Sequence, residues 1–296
     1  MNRLITIVGA TAIGKTSLSI ALAKHFDCEI ISCDSRQFYK EMTIGTAVPS
    51  KEELAEAKHH FIQNRSIHED YNVGQFEKDA LALLDKLFKK NNTVVMVGGS
   101  GLYVKAVLEG LDYFPKVDSE IRVQLNQELT EKGIEHLQNQ LQKLDKETYN
   151  SIDLQNPHRV IRALEICIGS GKKYSDYKNK PKTKRNFTST IIGLDAPRET
   201  IYKRIEQRVD IMIEQGLFDE VKSLYPHKNL NALQTVGYRE LFKYFDDEFT
   251  LDFAISEIKK NTRRFAKRQN TWFKKNKNIK WFDYDMDYDE VIRVVE

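Results

Sequence analysis

The sequence predicts an α/β fold, in which a parallel sheet is flanked by helices and an all-helical domain is inserted into the chain. Short apolar strands alternate with amphipathic helices, which is typical of parallel sheets. A glycine-rich turn joins the first strand to the first helix, and between Pro115 and Lys184 the pattern contains helices alone. We therefore expect a core formed by residues 1–114 and 187–296, and a helical insertion domain formed by residues 115–186.

The core is predicted to contain five strands, each a short apolar run. They are Leu4–Val8, Glu29–Cys33, Thr93–Val97, Thr188–Leu194 and Ile279–Phe282. Residues 16–23 and 76–88 carry apolar side chains at helical spacing and separate the first three strands. Because parallel neighbours need crossover connections, these helices are expected to cover the sheet. In the insertion, residues 121–132, 134–144 and 160–168 are predicted helices, and residues 199–272 are again mostly helical.

Composition excludes several classes of protein. Hydrophobic residues make up 41% of the chain, with 14 Gly and 6 Pro, which is typical of a folded globule. No apolar run approaches the roughly 20 residues of a membrane helix, and the apolar start at Leu4–Val8 is too short for a signal sequence. Cys28, Cys33 and Cys167 form no C-x-x-C pair, so we expect buried packing cysteines and no zinc site. We expect a cytoplasmic monomer that does not bind membranes.

Positive charge is concentrated in two segments, although the net charge is only +3. Residues 259–280 contain ten Lys or Arg and no acidic residue, and residues 172–185 contain seven basic residues beside Asp176. Such segments are compatible with solvated faces. They also carry interleaved aromatic residues, and clustered cations bind a polyanion through counterion release. Both interpretations remain open from charge alone.

The first turn fits the phosphate-binding motif G-x-x-x-x-G-K-[ST], and it follows a strand and opens a helix, as that motif requires. Backbone N–H groups, the helix dipole and the lysine then surround an anion, and the last hydroxyl can ligate Mg²⁺. The loop is typical of nucleotide-binding proteins such as those that bind ATP, and it predicts a P-loop NTPase-like core that holds a di- or triphosphate. The predicted diphosphate-binding residues of the loop are Gly9, Ala10, Thr11, Ala12, Ile13, Gly14, Lys15 and Thr16, with Thr16 as the metal ligand.

An acidic residue follows the second strand rather than the strand that ends in Gly98-Gly99. In nucleotide hydrolases a neighbouring strand usually ends in a metal-binding acid, so its absence after Val97 weakens an ATPase interpretation. Asp34 instead stands at the carboxyl end of a predicted parallel strand, where ligands collect in open sheets. We expect Asp34 near the reacting end of a bound diphosphate, although an N-cap role is an alternative.

Further polar residues could face the same cleft. Ser100 lies in a second glycine-rich turn, and Arg204 and Arg208 lie one helical turn apart. The two arginines could clamp a phosphate or could simply face solvent. A basic stripe on the last long helix is formed by Arg263, Arg264, Lys267 and Arg268.

Eight segments together resemble a known family. They are GATAIGKT (9–16), DSRQFY (34–39), IGTAVP (44–49), VGGSGLY (97–103), NPHRVIRALEI (156–166), RIEQRVDIMI (204–213), VGYRE (236–240) and AKRQNTWF (266–273). In order and spacing, from the first strand to near Trp281, the chain resembles the tRNA dimethylallyltransferases. The resemblance implies transfer of a dimethylallyl group from dimethylallyl diphosphate to N6 of the adenosine next to the anticodon, at position 37 of the tRNA. It implies Mg²⁺ as cofactor and the tRNA anticodon stem-loop as partner.

The resemblance also implies roles for individual residues. Asp34 would be the general base or acceptor at N6, Ser100 would supply a hydroxyl, and Arg208 would clamp the diphosphate together with Lys15; these three, Asp34, Ser100 and Arg208, are the predicted catalytic residues. The implied tRNA-binding residues are Asp34, Ser35, Arg36, Gln37, Ser100, Arg122, His158, Arg159, Val160, Ile161, Arg162, Gln234, Thr235, Val236, Gly237, Tyr238, Arg239, Arg263, Arg264, Lys267, Arg268 and Gln269.

Two alternatives from other functional classes remain. A small-molecule kinase could use the phosphate loop and Asp34, and it would consume ATP. A non-catalytic RNA-binding module could retain a vestigial loop, although the intact Gly14-Lys15-Thr16 argues against that. Prenylation of free adenine nucleotides would use a similar site, but it would have little need of the basic residues 259–280.

Overall fold

The computed structural model describes residues 1–178 and 184–296. Residues 179–183, which belong to the basic segment 172–185, lie outside the described residues. The described chain divides into two compact units, one formed by residues 1–109 and 185–296 and the other by residues 110–184. The predicted boundaries at 114 and 187 lie within a few residues of these limits.

A parallel sheet of six strands forms the centre of the first unit, which confirms the predicted α/β fold. The strands lie in the order β3-β2-β4-β1-β5-β6. They are β1 (Arg3–Gly9), β2 (Ile30–Ser32), β3 (His59–His60), β4 (Thr93–Val97), β5 (Thr188–Asp195) and β6 (Ile279–Asp283). Five strands match the predicted runs, whereas β3 was missed because two histidines form no apolar run.

Nine helices of the first unit lie within the described residues. They are α1 (Lys15–His25), α2 (Lys51–Glu56), α3 (Val73–Leu87), α4 (Gly101–Glu109), α9 (Arg198–Glu214), α10 (Leu217–Leu224), α11 (Tyr238–Phe245), α12 (Leu251–Phe273) and α13 (Tyr288–Val295). Successive side chains of a strand point to opposite faces of the sheet. Ile5 and Ile7 accordingly pack with α1 and α9 residues, whereas Leu4 and Val8 pack with Phe76 of α3. Helices therefore cover both faces, and β1 is buried between them.

The second unit is helical throughout its described secondary structure, as predicted for the insertion. It contains α5 (Ser119–Lys132), α6 (Ile134–Leu144), α7 (Lys146–Ser151) and α8 (Pro157–Ser170), followed by a short 3₁₀ helix (Tyr174–Tyr177). Leu125, Leu137, Leu141 and Leu164 form its own apolar core. This unit therefore has the buried interior expected of a folded domain.

Two composition-based expectations can be compared with the described residues. No helix within residues 1–178 and 184–296 has both the length and the apolar character that membrane crossing requires. Cys33 and Cys167 are buried and unpaired, but Cys28 is only half-buried. The prediction that all three cysteines are buried packing residues is therefore wrong for Cys28.

Candidate active site

The phosphate loop connects β1 to α1 in a conformation that only certain residues adopt easily. Gly9 and Gly14 have φ angles of 148° and 110°, and Ala12 has a φ of 63°. A Cβ at Gly9 would lie 2.7 Å from the carbonyl oxygen of Leu194, so the neighbouring strand also requires glycine there. Left-handed residues curl successive N–H groups around a small anion, and Gly14 opens α1 with no side chain in the way.

Lys15 lies at the start of α1 and is held against the loop. Its Nζ donates to the carbonyl oxygen of Ala10 at 2.6 Å. Burial lowers the pKa of Lys15 to about 8, and the nearby positive charge of Arg208 contributes to that lowering, while Asp34 opposes both effects. Asp34 and Lys15 line one cavity, so the acid and the phosphate loop occupy one site.

A cavity of about 640 Å³ lies over the phosphate loop. Lys15, Thr16, Asp34, Arg204 and Arg208 all line it. A second cavity, of about 300 Å³, is lined by Asp34 and Arg208 as well, together with Ser35, Ser100 and Arg268. Because the two cavities share these lining residues, they adjoin at Asp34. One side chain can therefore contact ligands in both.

Asp34 caps no helix. Its Oδ1 accepts from the backbone N–H of Arg36 at 2.9 Å, and the next helix, α2, begins only at Lys51. Among the described residues, no hydrogen bond or ion pair engages Oδ2, and the side chain is half-buried at the junction of the cavities. This geometry removes the N-cap alternative and leaves one carboxylate oxygen for a ligand.

Ser100 fixes the segment that carries Asp34. Its Oγ accepts from the backbone N–H of Ser35 at 3.1 Å and lies 3.2 Å from the Ser35 hydroxyl. Arg36 donates to the carbonyl oxygens of Asn231 and Ala232, and the Gln37 amide donates to those of Thr46 and Ala47. The first part of the loop after β2 is thereby tied to two other segments and to the later part of the same loop.

The two arginines of α9 face the first cavity and have different partners. Arg204 donates from Nε to the carbonyl oxygen of Ala12 in the phosphate loop at 2.7 Å. Arg208 has no hydrogen bond or ion pair within the described chain, and burial together with Arg204 lowers its pKa. The charge of Glu53 opposes this lowering, and an anion bound beside the partly buried guanidinium would offset more of its desolvation cost. The contact of Arg204 with the loop was missed, and the i, i+4 spacing was its only signal.

A fit for Mg²⁺ can be judged from the donors present. The Thr16 hydroxyl and the Asp34 carboxylate line the same cavity, and both offer the oxygen ligands that Mg²⁺ prefers. Within the described residues, no group of three or more His, Cys, Asp or Glu could hold a metal ion. This donor set fits a Mg²⁺ held largely by phosphate oxygens and water, with one or two protein ligands.

The second cavity gathers most of the tRNA-binding residues predicted in the first unit. Besides Asp34, Ser35, Arg36 and Ser100, its lining includes Gln234, Thr235, Val236, Gly237, Arg239 and Arg268. Arg264 and Lys267 are exposed on α12. Arg263 instead donates to Glu206 of α9 at 2.6 Å, so its charge already has a partner.

The structure corrects four of the predicted tRNA contacts. The side chains of Val160, Ile161 and Tyr238 are at most 2% exposed, and they pack in the apolar cores of their own units. Gln269 is 6% exposed and its amide bonds to Thr11 and Gly99. With so little surface exposed, these side chains serve the packing of their own units rather than contact with a tRNA.

The other predicted residues of the second unit lie on its surface. His158 and Arg159 are exposed at the start of α8. Arg122 and Arg162 both bond to Glu165, at 2.8 and 3.1 Å, and the two guanidinium groups hold the pKa of that nearly buried carboxyl below its usual range. The pair is thus fixed around one acid, with part of each arginine still exposed.

Comparison with known proteins gives one consistent result. Residues 37–276 match the family model described as IPP transferase. The chain is 62% identical to the tRNA dimethylallyltransferase of Flavobacterium johnsoniae and 61% identical to that of Christiangramia forsetii, covering all of this chain and 97% and 98% of those proteins.

Solved structures extend the similarity to the fold. The tRNA isopentenylpyrophosphate transferase of Bacillus halodurans is 37% identical with a TM-score of 0.73, over 100% of this chain and 94% of that one. A eukaryotic dimethylallyltransferase acting on tRNA is 26% identical with a TM-score of 0.82, over 96% and 74% of the two chains.

Proposed function

The chain belongs to the IPP transferase family, and on that premise we propose that it is a tRNA dimethylallyltransferase, which transfers the dimethylallyl group of dimethylallyl diphosphate to N6 of the adenosine next to the anticodon. The products are N6-dimethylallyladenosine in the tRNA and diphosphate. The observation that carries the proposal is the position of Asp34, which lines both the cavity of the phosphate loop and the adjoining cavity.

The first cavity suits an allylic diphosphate. Lys15, Arg208 and the phosphate loop line the cavity in which a diphosphate would lie, and the loop N–H groups other than that of Thr11, which Gln269 holds, can donate to it. These groups neutralise the charge that develops on the leaving diphosphate as the bond between C1 of the allyl group and oxygen breaks. Mg²⁺, held by Thr16 with Asp34 nearby, would supply further charge neutralisation to the same leaving group.

The second cavity suits the acceptor adenosine. Its N6 amine is conjugated with the ring and is a weak nucleophile, so a carboxylate that accepts one of its protons assists attack on C1. Asp34 has a free Oδ2 at the junction, and the new N6–C1 bond would form beside it. A base in an anticodon loop can be turned out of its stack at modest cost, because it is not paired.

The direct test is product analysis. Purified protein is incubated with dimethylallyl diphosphate, Mg²⁺ and unmodified tRNA, and the digested nucleosides are examined by mass spectrometry. We expect a single adenosine derivative, heavier by one dimethylallyl group, in the anticodon loop. Phosphorylated product with consumption of ATP would favour the kinase alternative, and tRNA binding without any modified nucleoside would favour the RNA-binding module.

A variant of Asp34 tests the proposed chemistry. Asp34→Asn keeps the size and the bond to the N–H of Arg36 but cannot accept a proton, so we expect turnover to fall by at least about 100-fold. The affinity for tRNA, measured by filter binding, should change by less than about tenfold, since one contact among many is altered. Unchanged turnover would remove Asp34 from the mechanism.

A further inference from the structure

We propose that Gln269 is a positioning residue that joins the phosphate loop to the turn carrying Ser100, and so sets the distance between the diphosphate pocket and the acceptor side of the site. The inference rests on the proposed function. It replaces the expectation that Gln269 contacts tRNA, because its side chain is buried and faces two loops of its own chain.

The amide of Gln269 bonds to both of those loops. Its Oε1 accepts from the backbone N–H of Thr11 at 2.9 Å, and its Nε2 donates to the carbonyl oxygen of Gly99 at 3.0 Å. Thr11 lies within the phosphate loop, and Gly99 immediately precedes Ser100. The side chain therefore bridges the ends of the neighbouring strands β1 and β4, at the edge of the sheet where the cavities open.

The approach of Gln269 is so close that it restricts the turn. A Cβ at Gly99 would lie 2.2 Å from Nε2 of Gln269, well inside van der Waals contact. A side chain at position 99 would therefore displace the Gln269 amide from its bond to the Gly99 carbonyl oxygen, although the backbone there has no positive φ. The turn, the amide and the phosphate loop form one packed unit.

The bridge continues to the acceptor side. The Oγ of Ser100 holds the N–H of Ser35, next to Asp34. A path of bonded groups thus runs from Thr11 through Gln269 and the Gly99–Ser100 turn to the acid. On the opposite side of the loop, Arg204 of α9 holds the carbonyl oxygen of Ala12. Helices α9 and α12 therefore hold the loop from two directions, and they are joined by the Arg263–Glu206 pair.

Loss of the bridge has a specific expected effect. An apolar replacement leaves the part-buried N–H of Thr11 and the buried carbonyl oxygen of Gly99 without this partner, which is unfavourable unless the loops move. We expect the loops to move apart, which disturbs the diphosphate pocket and the placement of Asp34 but not the exposed basic residues of α12. We therefore expect a higher KM for dimethylallyl diphosphate and a lower kcat, with unchanged affinity for tRNA.

The experiment compares two substitutions and a matched control. Gln269→Met keeps the volume and removes both bonds, and we expect kcat/KM for dimethylallyl diphosphate to fall about 10- to 100-fold, with tRNA affinity within about threefold of wild type. The control is Asn261→Leu, two turns before Gln269 on α12, which removes a part-buried hydrogen bond to Glu240 of α11. It should lower thermal stability while leaving kcat/KM for the donor within about threefold.

Gln269→Glu adds a second measurement, the pH dependence of activity, which general destabilisation of the fold would not change in the same way. The ionised carboxyl can still accept from Thr11 but repels the Gly99 carbonyl oxygen, whereas the protonated carboxyl can both donate and accept, as the amide does. Burial raises the pKa of such a carboxyl, so its neutral form is populated as the pH falls through that raised value. We expect the ratio of variant to wild-type activity to increase towards low pH.

The outcomes separate this inference from the proposed function. Binding of inorganic diphosphate with Mg²⁺, measured by calorimetry, should weaken in Gln269→Met even if no prenyl transfer can be detected. If the wild type is active and Gln269→Met has the same donor kinetics and the same diphosphate affinity, the positioning role is overturned. A loss of tRNA affinity larger than the loss of diphosphate affinity, or a pH-independent activity ratio for Gln269→Glu, would also overturn it. Inactive wild type that binds diphosphate normally would instead contradict the proposed reaction.

Discussion

Lys15 and Arg208 line one cavity together with Arg204 and the acids Asp34 and Glu53. Burial lowers the pKa of both side chains; the charge of Arg208 adds to the lowering for Lys15, to about 8, and the charge of Arg204 adds to it for Arg208. An environment that disfavours positive charge becomes favourable when a diphosphate brings negative charge. The lowered pKa values of these two side chains are therefore consistent with a pocket that binds an anion.

This pKa leads to a prediction for the pH dependence of donor capture. In the free protein, Lys15 loses its proton as the pH rises through about 8, and the neutral amine attracts the diphosphate less. We expect kcat/KM for dimethylallyl diphosphate to decline above that pH in the wild type. Lys15→Arg keeps its charge to a much higher pH, so its profile should stay flat there even if its activity is lower.

The measurement is initial rate against donor concentration over a range from about pH 6.5 to about 10. Affinity for tRNA is followed over the same range to separate effects on the acceptor. If kcat/KM declines at the same pH in the wild type and in Lys15→Arg, the titrating group is not Lys15.

At the scale of elements, α9 and α12 connect the phosphate loop with the basic surface. Helix α9 supplies Arg204 to the loop and Glu206 to Arg263, while α12 supplies Gln269 from one face and exposed cations from the other. The basic stripe is thus divided: Arg263 neutralises an acid of α9, whereas Arg264, Lys267 and Arg268 remain at the surface. Only these exposed residues of the stripe can neutralise RNA phosphates without first breaking an ion pair.

The division of the stripe predicts different salt dependences. Replacing Arg264 and Arg268 with Gln should lower the slope of log Kd for tRNA against log salt by roughly 0.7–0.9 for each RNA phosphate that the variant no longer neutralises. The single variant Arg263→Gln serves as the control and should leave the slope almost unchanged, because Arg263 is paired with Glu206. Filter binding over a range of salt concentrations measures both. Equal slopes for the double variant and wild type would mean that these two arginines face solvent in the complex.

At the scale of the whole first unit, sheet order brings the two halves of the site together. Strand β4 lies between β1 and β2, so the phosphate loop after β1 and the acid after β2 flank the Gly98–Gly101 turn at one edge. Parallel strands end at the same edge of a sheet, and ligands bind there where connections diverge to opposite sides. The fold thus places the phosphate loop and Asp34 at one cleft.

If diphosphate binds in this cleft, it should stabilise the first unit against unfolding. Inorganic diphosphate with Mg²⁺, at about 100 times its Kd, should stabilise the native state by about 2.7 kcal/mol and raise Tm by about 5 °C. Lys15→Ala should abolish most of this shift. Lys105→Ala, at an exposed lysine paired with Glu109 outside the cleft, should retain it. Differential scanning calorimetry measures the shift, and an equal shift in both variants would contradict the assigned pocket.

Local sequence determined the frame of the molecule and the identity of its anion site. Five strands, the crossover helices and the phosphate loop follow from apolar spacing and from glycine positions, which depend on neighbours a few residues apart. Asp34 could be placed because the end of a parallel strand has a fixed position in such a sheet. The eight matching segments then identified the family, which the full-length relatives confirm.

Only tertiary structure decided which polar side chains serve the site and which serve the fold. Gln269 and Thr11 are 258 positions apart, and Arg204 and Ala12 are 192 apart, so no local pattern reveals that they bond. Val160, Ile161 and Tyr238 stand among tRNA-contact candidates in the sequence, yet their side chains point into apolar cores. Spacing along the chain specifies the face of a helix or strand, but what that face meets depends on how distant segments pack.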